Sequence, residues 1–220
     1  MQPGFTQYQI KLLAALLMLL DHIGAVLLPD VILLRVLGRL SFPLFAWLLV
    51  QGEAHTRNFW RYFLRLLLLG LIAQPIYWFT FGSDRLNILF TLALGLLCLR
   101  GVRRFPRLGL LIGVGVGAIA MVLDAEYQWY GIGMILLIQQ FRHQWEWWIG
   151  WLGLHFIFFA VMPDFGLFQL PALFSPVLFM LATKEQGARA RWFYAFYPGH
   201  LLVLWGVRDL LVEKLGSFGF

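Results

Sequence analysis

Asp21 and His22 stand side by side inside the first apolar stretch of the chain. Asp21 follows Ile10 by eleven residues, which is roughly 16 Å along a helix and therefore near the middle of a bilayer. An ionisable side chain at that depth is a functional candidate. We predict that Asp21 fixes the tautomer of His22 and that His22 moves protons, because imidazole titrates near neutrality. The alternative is a structural ion pair of Asp21 with Arg39, with His22 as a packing residue.

Four cations near the predicted ends of the apolar spans form a second candidate site. Arg57, Arg61 and Arg65 are spaced four apart, so they share one helix face that runs from water into the membrane. Lys11 lies on the same stripe of its helix as His22. Guanidinium groups pair bidentately with phosphate, so this stripe predicts binding of a phosphorylated donor. Anchoring of the helix end at the membrane surface is the alternative interpretation.

Further polar residues fall inside apolar spans, where they either line a cavity or bridge helices. Pro75 and Pro198 are expected to interrupt their helices, as happens where backbone lines a cavity. His155 follows Trp151 by four residues and is expected to pack against aromatic rings. The residues predicted to contact substrate or line its cavity are Gln74, Tyr77, Asn87, Tyr197 and His200.

The sequence predicts neither a metal site nor an intrachain disulfide. The histidines His22, His155 and His200 follow no ligand-spacing motif, so no metal is expected. Cys98 is the single cysteine, which rules out an intrachain disulfide and a thiolate metal cluster.

The composition is that of a membrane protein. The chain has 220 residues, of which 61% are hydrophobic and 13% charged, against roughly 25% charged in soluble domains. Its mean hydropathy is +0.78. Long apolar runs without period-two alternation favour helices over a barrel. We predict an all-α polytopic fold of about eight to ten transmembrane helices around a transverse cavity, in one domain over residues 1–220.

The apolar segments alternate with connections of unequal charge. The predicted spans are 10–28, 36–54, 59–81, 86–99, 107–123, 129–141, 145–163, 167–183 and 192–214. Twelve Lys and Arg residues fall on the side of the amino terminus and five on the other side. The positive-inside rule therefore predicts a cytoplasmic amino terminus. It also explains the net charge of +6 without a nucleic-acid partner.

Several segments, taken in order, resemble the TraX family of membrane acetyltransferases. The strongest are MLLDHIG at 18–24 and GRLSFPLF at 38–45, followed by HTRN at 55–58 and QPIY at 74–77. NILFTLALG at 87–95, YGIG at 130–133 and YPGH at 197–200 continue the likeness almost to the carboxyl end. The resemblance covers most of the chain, and its first two segments are the most specific.

The resemblance implies acetyl transfer from acetyl-CoA to the amino terminus of a pilin, or to another protein, peptide or glycan, at the bacterial inner membrane. In that case His22 is the catalytic residue, Asp21 and Arg39 support it, and Lys11, Arg57, Arg61 and Arg65 contact the donor. Membrane lipid is the other expected partner. A transporter or flippase of an amphipathic substrate, which would also use ionisable residues within the membrane, remains open, as does a non-catalytic assembly factor.

Overall fold

The structure is a computed structural model that describes residues 4–183, 185–188, 190 and 192–216. Regular structure within these ranges is helical, as predicted, apart from two isolated bridges that join residues 5 and 182 and residues 86 and 125. The predicted cytoplasmic-side cations Lys184, Arg189 and Arg191 lie outside the described residues. The helices are α1 (Gln7–Val26), α2 (Ile32–Gly38), α3 (Ser41–His55), α4 (Phe59–Phe81), α5 (Ile88–Arg104), α6 (Gly109–Val122), α7 (Gln128–Gln139), α8 (Trp145–Val161), α9 (Pro163–Gln169), α10 (Ser175–Met180) and α11 (Phe193–Gly216).

Three segments of the described chain are long and apolar enough to cross a membrane. They are α1, the run Ile32–His55 that joins α2 to α3, and α4. A shorter apolar helical run covers Pro106–Val122. The prediction of about eight to ten spans stays a prediction beyond these three segments.

Prolines divide one predicted span into separate helical pieces but do not interrupt two others. The span predicted over 167–183 is not one helix, because Pro171 and Pro176 each lie in the first turn of a separate short helical piece. Proline fits the first turn of a helix, where no N–H is needed. The expectation for Pro75 and Pro198 was wrong, since α4 and α11 continue through both.

The second predicted span, 36–54, is divided close to its predicted start. α2 ends at Gly38 and α3 begins at Ser41, so Arg39 and Leu40 form a break between them. Pro43 in the first turn of α3 has no N–H to donate, which suits a helix that begins at this point. The break places Arg39 beside α1 in the middle of the fold.

α1 is the helix on which the site is built. It packs against α2, α3 and α11, and α11 packs in turn against α4. The side chain of Thr6 caps α1 in a reciprocal capping box with Gln9, which satisfies two otherwise unpaired groups at that end. The middle of α1 is therefore enclosed by residues of α2, α3 and α11.

Candidate functional site

His22 of α1 and His200 of α11 form a direct imidazole pair. His22 Nδ1 lies 2.7 Å from His200 Nε2, and the two rings are almost parallel at 8°. Phe81 packs edge-on against the His22 ring, and Phe196 stacks on the His200 ring. The sequence placed both histidines inside spans, and the packing of α1 on α11 brings them together.

The hydrogen bonds around this pair assign its tautomers when both rings are neutral. His200 Nδ1 lies 2.7 Å from the carbonyl oxygen of Phe196, so His200 donates there and its Nε2 must accept. His22 therefore donates from Nδ1, and His22 Nε2 keeps its lone pair. This arrangement presents His22 as a base with one defined reacting nitrogen.

Asp21 points into an arginine cluster and not at His22. Its Oδ2 lies 2.7 Å from Nη1 of Arg35 and is also paired with Nη2 of Arg39. The ion pair with Arg39 that was expected as the structural alternative is thus present, and Arg35 joins it. Asp21 does not set the tautomer of His22 in the described hydrogen bonds, because neighbouring helical residues point about 100° apart and His200 occupies that role.

Both arginines are themselves held in place. Their guanidinium groups stack on the ring of Phe168, with Cζ-to-centroid distances of 5.1 Å for Arg35 and 4.6 Å for Arg39. Arg39 also donates from Nη1 to the hydroxyl of Tyr127 at 3.0 Å. Asp21 Oδ1 is buried and lacks a hydrogen-bond partner among the described residues. The cluster therefore keeps one carboxylate oxygen available as an acceptor.

Gly38 at the end of α2 allows α1 and α2 to pack closely at Asp21. A Cβ at this position would overlap the Cβ and carboxylate of Asp21. The glycine is needed here for close packing and not for an unusual backbone angle, since the described non-standard angles lie elsewhere.

The loop between α6 and α7 adds Glu126 and Tyr127 to the site, and sequence reasoning missed both roles. Asp124, Tyr127 and Gln128 have φ angles of 45°, 65° and 40°, which are strained values for residues other than glycine. Hydrogen bonds from Leu86 N to Asp124 O and from Glu126 N to Leu86 O, at 3.1 and 2.9 Å, hold the loop in place.

Burial changes the pKa values of the Glu126 and Tyr127 side chains. Burial raises the pKa of Glu126 to about 7, and nearby Arg39 opposes that rise only in part. Burial also raises the pKa of Tyr127 to about 12, so its phenol stays neutral near pH 7. Glu126 therefore exchanges a proton near neutrality, as a general acid or base should.

Two cavities meet at this site. The smaller has a volume of about 30 Å³ and is lined by Asp21, His22, Arg39, Glu126 and Tyr127, among other residues. That volume accepts one water-sized group. Its remaining lining residues are Met18, Gly38, Ser41, Phe42, Phe45 and Ile88.

The larger cavity, of about 500 Å³, contains all four predicted donor-binding cations. Lys11, Arg57, Arg61 and Arg65 line it, and no carboxylate stands among its lining residues in the described part of the chain. The two cavities share three wall residues, which are Met18, Phe45 and Ile88. The two cavities are therefore neighbours across this apolar wall, and their direction relative to a membrane stays a prediction.

Two of the predicted cavity residues serve instead to join helices. Gln74 accepts through Oε1 from the backbone N and the side-chain Nδ2 of Asn87, at 3.0 and 2.8 Å. Asn87 Nδ2 also donates to Gly70 O at 2.9 Å. Neither residue lines the two cavities described. Gln74 Nε2 donates to Arg85 O, and Asn87 Oδ1 accepts from Leu89 N. Both amides are therefore satisfied around the turn between α4 and α5, which leaves them no free group for a substrate.

The three remaining predicted cavity residues lie in different places. Tyr197 lies on the wall of the large cavity, and His200 is bound to His22. Tyr77 is buried against Phe81, with ring centroids 4.9 Å apart, and does not line either described cavity.

His155 packs among aromatic rings, as expected. It hydrogen-bonds to Tyr130 OH at 3.0 Å and to Trp151 O at 2.9 Å, away from the other two histidines. In the described ranges no three His, Cys, Asp or Glu residues converge as metal ligands do. Cys98 is buried and free.

A second buried carboxylate escaped sequence reasoning. Glu53 of α3 is almost fully buried and lies 3.2 Å from Nε of Arg100 and 2.8 Å from Nη2 of Arg103. An acidic residue inside an apolar helix is the signal that would have found it. Glu53 therefore pairs with two cations near the carboxyl end of α5, whereas no carboxylate lines the large cavity in the described part of the chain.

Comparison with known proteins identifies the family of the chain. The family model described as "TraX protein" matches residues 6–208. A protein of Dichelobacter nodosus described as "Probable fimbrial assembly protein FimC, serogroup H1" is 32% identical, over 94% of this chain and 97% of its own length. No solved structure gives a significant match. The chain, all-α and with segments able to span a membrane, therefore belongs to the TraX family.

Proposed function

We propose that the chain is a membrane acetyltransferase that uses acetyl-CoA as donor and the amino terminus of a pilin-like protein as acceptor. The observation that supports this most is the contact between two chambers of different character. A large cation-lined cavity meets a small chamber with a base, across a wall of Met18, Phe45 and Ile88. A group-transfer enzyme needs such an arrangement, with a donor site and a reacting site that communicate.

The large cavity suits an anionic donor. Its volume of about 500 Å³ falls in the roughly 300–1,000 Å³ range of cofactor sites. In the described part of the chain, Arg57, Arg61 and Arg65 form no salt bridge, whereas Arg100 and Arg103 share Glu53. Unpaired guanidinium groups bind phosphate oxygens strongly, so these three arginines and Lys11 would hold the phosphates of coenzyme A.

The small chamber suits the transfer step. His22 Nε2 takes a proton from the acceptor nitrogen as the N–C bond forms and the thioester C–S bond breaks, and it returns that proton to the departing thiolate. His200 supports the positive charge that develops on His22, because His22 Nδ1–H donates to it. In the competing mechanism, His22 Nε2 itself attacks the thioester and an acetyl-histidine forms before transfer.

The sidedness of the reaction is part of the proposal. The positive-inside rule places the arginine cavity at the cytoplasmic face, where acetyl-CoA is available. The fimbrial assembly protein to which the chain is similar supports a pilin or fimbrial subunit as the acceptor. The acetyl group would then move from a cytosolic donor to an acceptor reached from the membrane or from the far side of it.

The test uses the purified full chain in detergent or nanodiscs. We expect saturable acetyl-CoA binding and acceptor-dependent thiol release, with acetylation of a pilin amino-terminal peptide followed by mass. His22→Ala should lower transfer by roughly 10²–10⁴-fold while donor binding persists. Arg61→Gln or Arg65→Gln should weaken donor binding about tenfold or more, as expected for loss of a charged hydrogen bond of about 1.5–3 kcal/mol.

Arg104→Gln is the matched control, because Arg104 is an exposed cation at the end of α5 that lies outside the large cavity. It should leave donor binding unchanged. Full transfer by a folded His22→Ala variant would contradict both catalytic mechanisms. Absence of acetyl-CoA binding in the wild-type chain would contradict the enzyme, and substrate flux in vesicles would then favour the transporter.

A further inference from the structure

The proton balance of the proposed reaction requires a second base. When a hydroxyl is acetylated by a thioester, the proton that leaves oxygen ends on the thiol, so no net proton appears. When an ammonium group is acetylated, one additional proton must be removed before the nitrogen can attack. His22 has one free ring nitrogen, since its Nδ1 is bound to His200. It can therefore accept one proton in a turnover, and the other needs a different acceptor.

Glu126 is placed to be that acceptor. It lines the same 30 Å³ chamber as His22. Its backbone is fixed on both sides, because its N–H donates to Leu86 O and its carbonyl accepts from the hydroxyl of Thr91. Within the described ranges its carboxylate makes no hydrogen bond or salt bridge. A held backbone with an unengaged carboxylate leaves the side chain free to receive a ligand.

The charges around Glu126 explain why Glu126, and not Asp21, takes this role. Arg35 and Arg39 already hold Asp21 Oδ2 in a paired state. The titratable and charged groups that face Glu126 are Asp21 and His22 on α1, Arg35 and Arg39 from α2 and the break after it, Tyr77 on α4, Arg85 before α5, Tyr127 next to it and Tyr197 on α11. Burial raises the pKa of Glu126 to about 7, close to that of an α-amino group, about 7.7–8.0.

We propose that Glu126 binds the ammonium group of the acceptor, removes its first proton and directs the resulting amine toward His22 and the thioester. This inference rests on the proposed acetyltransferase function. In the complete reaction, Glu126 receives one proton and later releases it to water. His22 receives the second proton as the N–C bond forms, and passes it to the thiolate as the C–S bond breaks.

The experiment compares Glu126→Gln with the wild-type chain over pH 6.5 to 9, with a peptide that has a free α-amine. At pH 6.5 the variant should be slower by roughly 10²-fold or more. Its deficit should shrink by about 20-fold toward pH 9, since the amine then loses its proton without help. A peptide that has a hydroxyl in place of the α-amine should react nearly equally well with both proteins.

Asp30→Asn is the control, because it removes an exposed carboxylate from the turn between α1 and α2, outside both cavities. It should keep the wild-type rate at each pH. Acetyl-CoA binding at the wild-type Kd shows that Glu126→Gln is folded. Should this variant not fold, Glu126→Asp replaces it and should give a slower reaction with the wild-type pH profile.

A wild-type rate for Glu126→Gln at pH 6.5, or a deficit that does not change with pH, would overturn the role of Glu126. A wild-type chain that acetylates only hydroxyl acceptors would overturn this inference but leave the acetyltransferase intact. Failure of the wild-type chain both to bind acetyl-CoA and to transfer acetyl would instead remove the proposed function on which the inference depends.

Discussion

His200 connects α11 to His22 on α1, and in the proposed mechanism it acts through His22. Its Nε2 lies 2.7 Å from His22 Nδ1. We predict that His200→Ala lowers kcat for acetyl transfer by less than the roughly 10²–10⁴-fold expected for loss of the base itself, with an unchanged KM for acetyl-CoA. His200→Gln should recover part of the loss, because its amide oxygen can accept from Nδ1–H.

His155→Phe is the control for this comparison, because His155 is a buried histidine that packs against Trp151 and Tyr130. It should leave kcat close to the wild-type value. Equal losses for His200→Ala and His200→Gln, or a raised KM in both, would indicate that His200 only fills space or affects donor binding.

The ion pairs of Asp21 with Arg35 and Arg39 can be tested for their effect on stability, apart from the proposed catalysis. Asp21→Asn leaves the cations of Arg35 and Arg39 without their shared carboxylate, and breaking a buried pair costs about 3–5 kcal/mol. We predict a clear fall in the midpoint of thermal unfolding in detergent, followed by tryptophan fluorescence. Asp209→Asn is the control, since the Arg208–Asp209 pair is exposed and such pairs contribute about 0–1 kcal/mol. Equal midpoints for both variants would contradict a stabilising role of the cluster.

At the scale of elements, the break between α2 and α3 determines where the site forms. Three residues at this break line the small chamber, namely Gly38, Arg39 and Ser41. Arg39 reaches Asp21 because α2 stops there and α1 approaches Gly38 closely.

Gly38→Ala tests this close approach. Its Cβ would overlap Asp21, so α1 and α2 must separate and the pairs of Asp21 with both arginines must lengthen. We predict a lower unfolding midpoint and a loss of acetyl transfer, measured on the same preparation. Gly115→Ala in α6 is the control, because an added Cβ there meets no atom within 4 Å and alanine favours a helix by about 0.5–1 kcal/mol. A Gly38→Ala variant as stable and active as the control would refute the packing argument.

At the scale of the whole molecule, hydropathy predicts helices well and side-chain partners poorly. The predicted span 59–81 coincides with α4, because a long apolar run in a membrane has few alternatives to a helix. The span 167–183 failed at its prolines, whose effect depends on whether each starts a helix or lies within one. Pro75 lies within one, and the sequence pattern alone does not separate the two cases.

The candidate site was predictable in its residue types and less so in its pairings. His22, Asp21 and the arginine stripe stand out, because charges in apolar runs are costly and therefore functional candidates. The partner of His22 depends on the rotation of α1 against α11, which a single sequence does not contain. Glu126 lies in a loop, where acids are ordinary, and the left-handed backbone of that loop at Asp124, Tyr127 and Gln128 is not predictable from hydropathy.

In the proposed mechanism, the wall between the two chambers controls whether the acetyl group of the donor reaches the acceptor. Met18 is its most adaptable member, since methionine has flexible rotamers, and it lines both cavities. We predict that Met18→Trp keeps acetyl-CoA binding within a few-fold but loses transfer, because the acetyl group no longer reaches His22. Met18→Ala should widen the passage and raise acetyl-CoA hydrolysis without acceptor.

Leu16→Trp and Leu16→Ala are the controls, as Leu16 is exposed on the same helix and should change neither rate. If Met18→Trp instead lost donor binding, or both Met18 variants shifted hydrolysis in the same direction, the two chambers would not be joined through this wall.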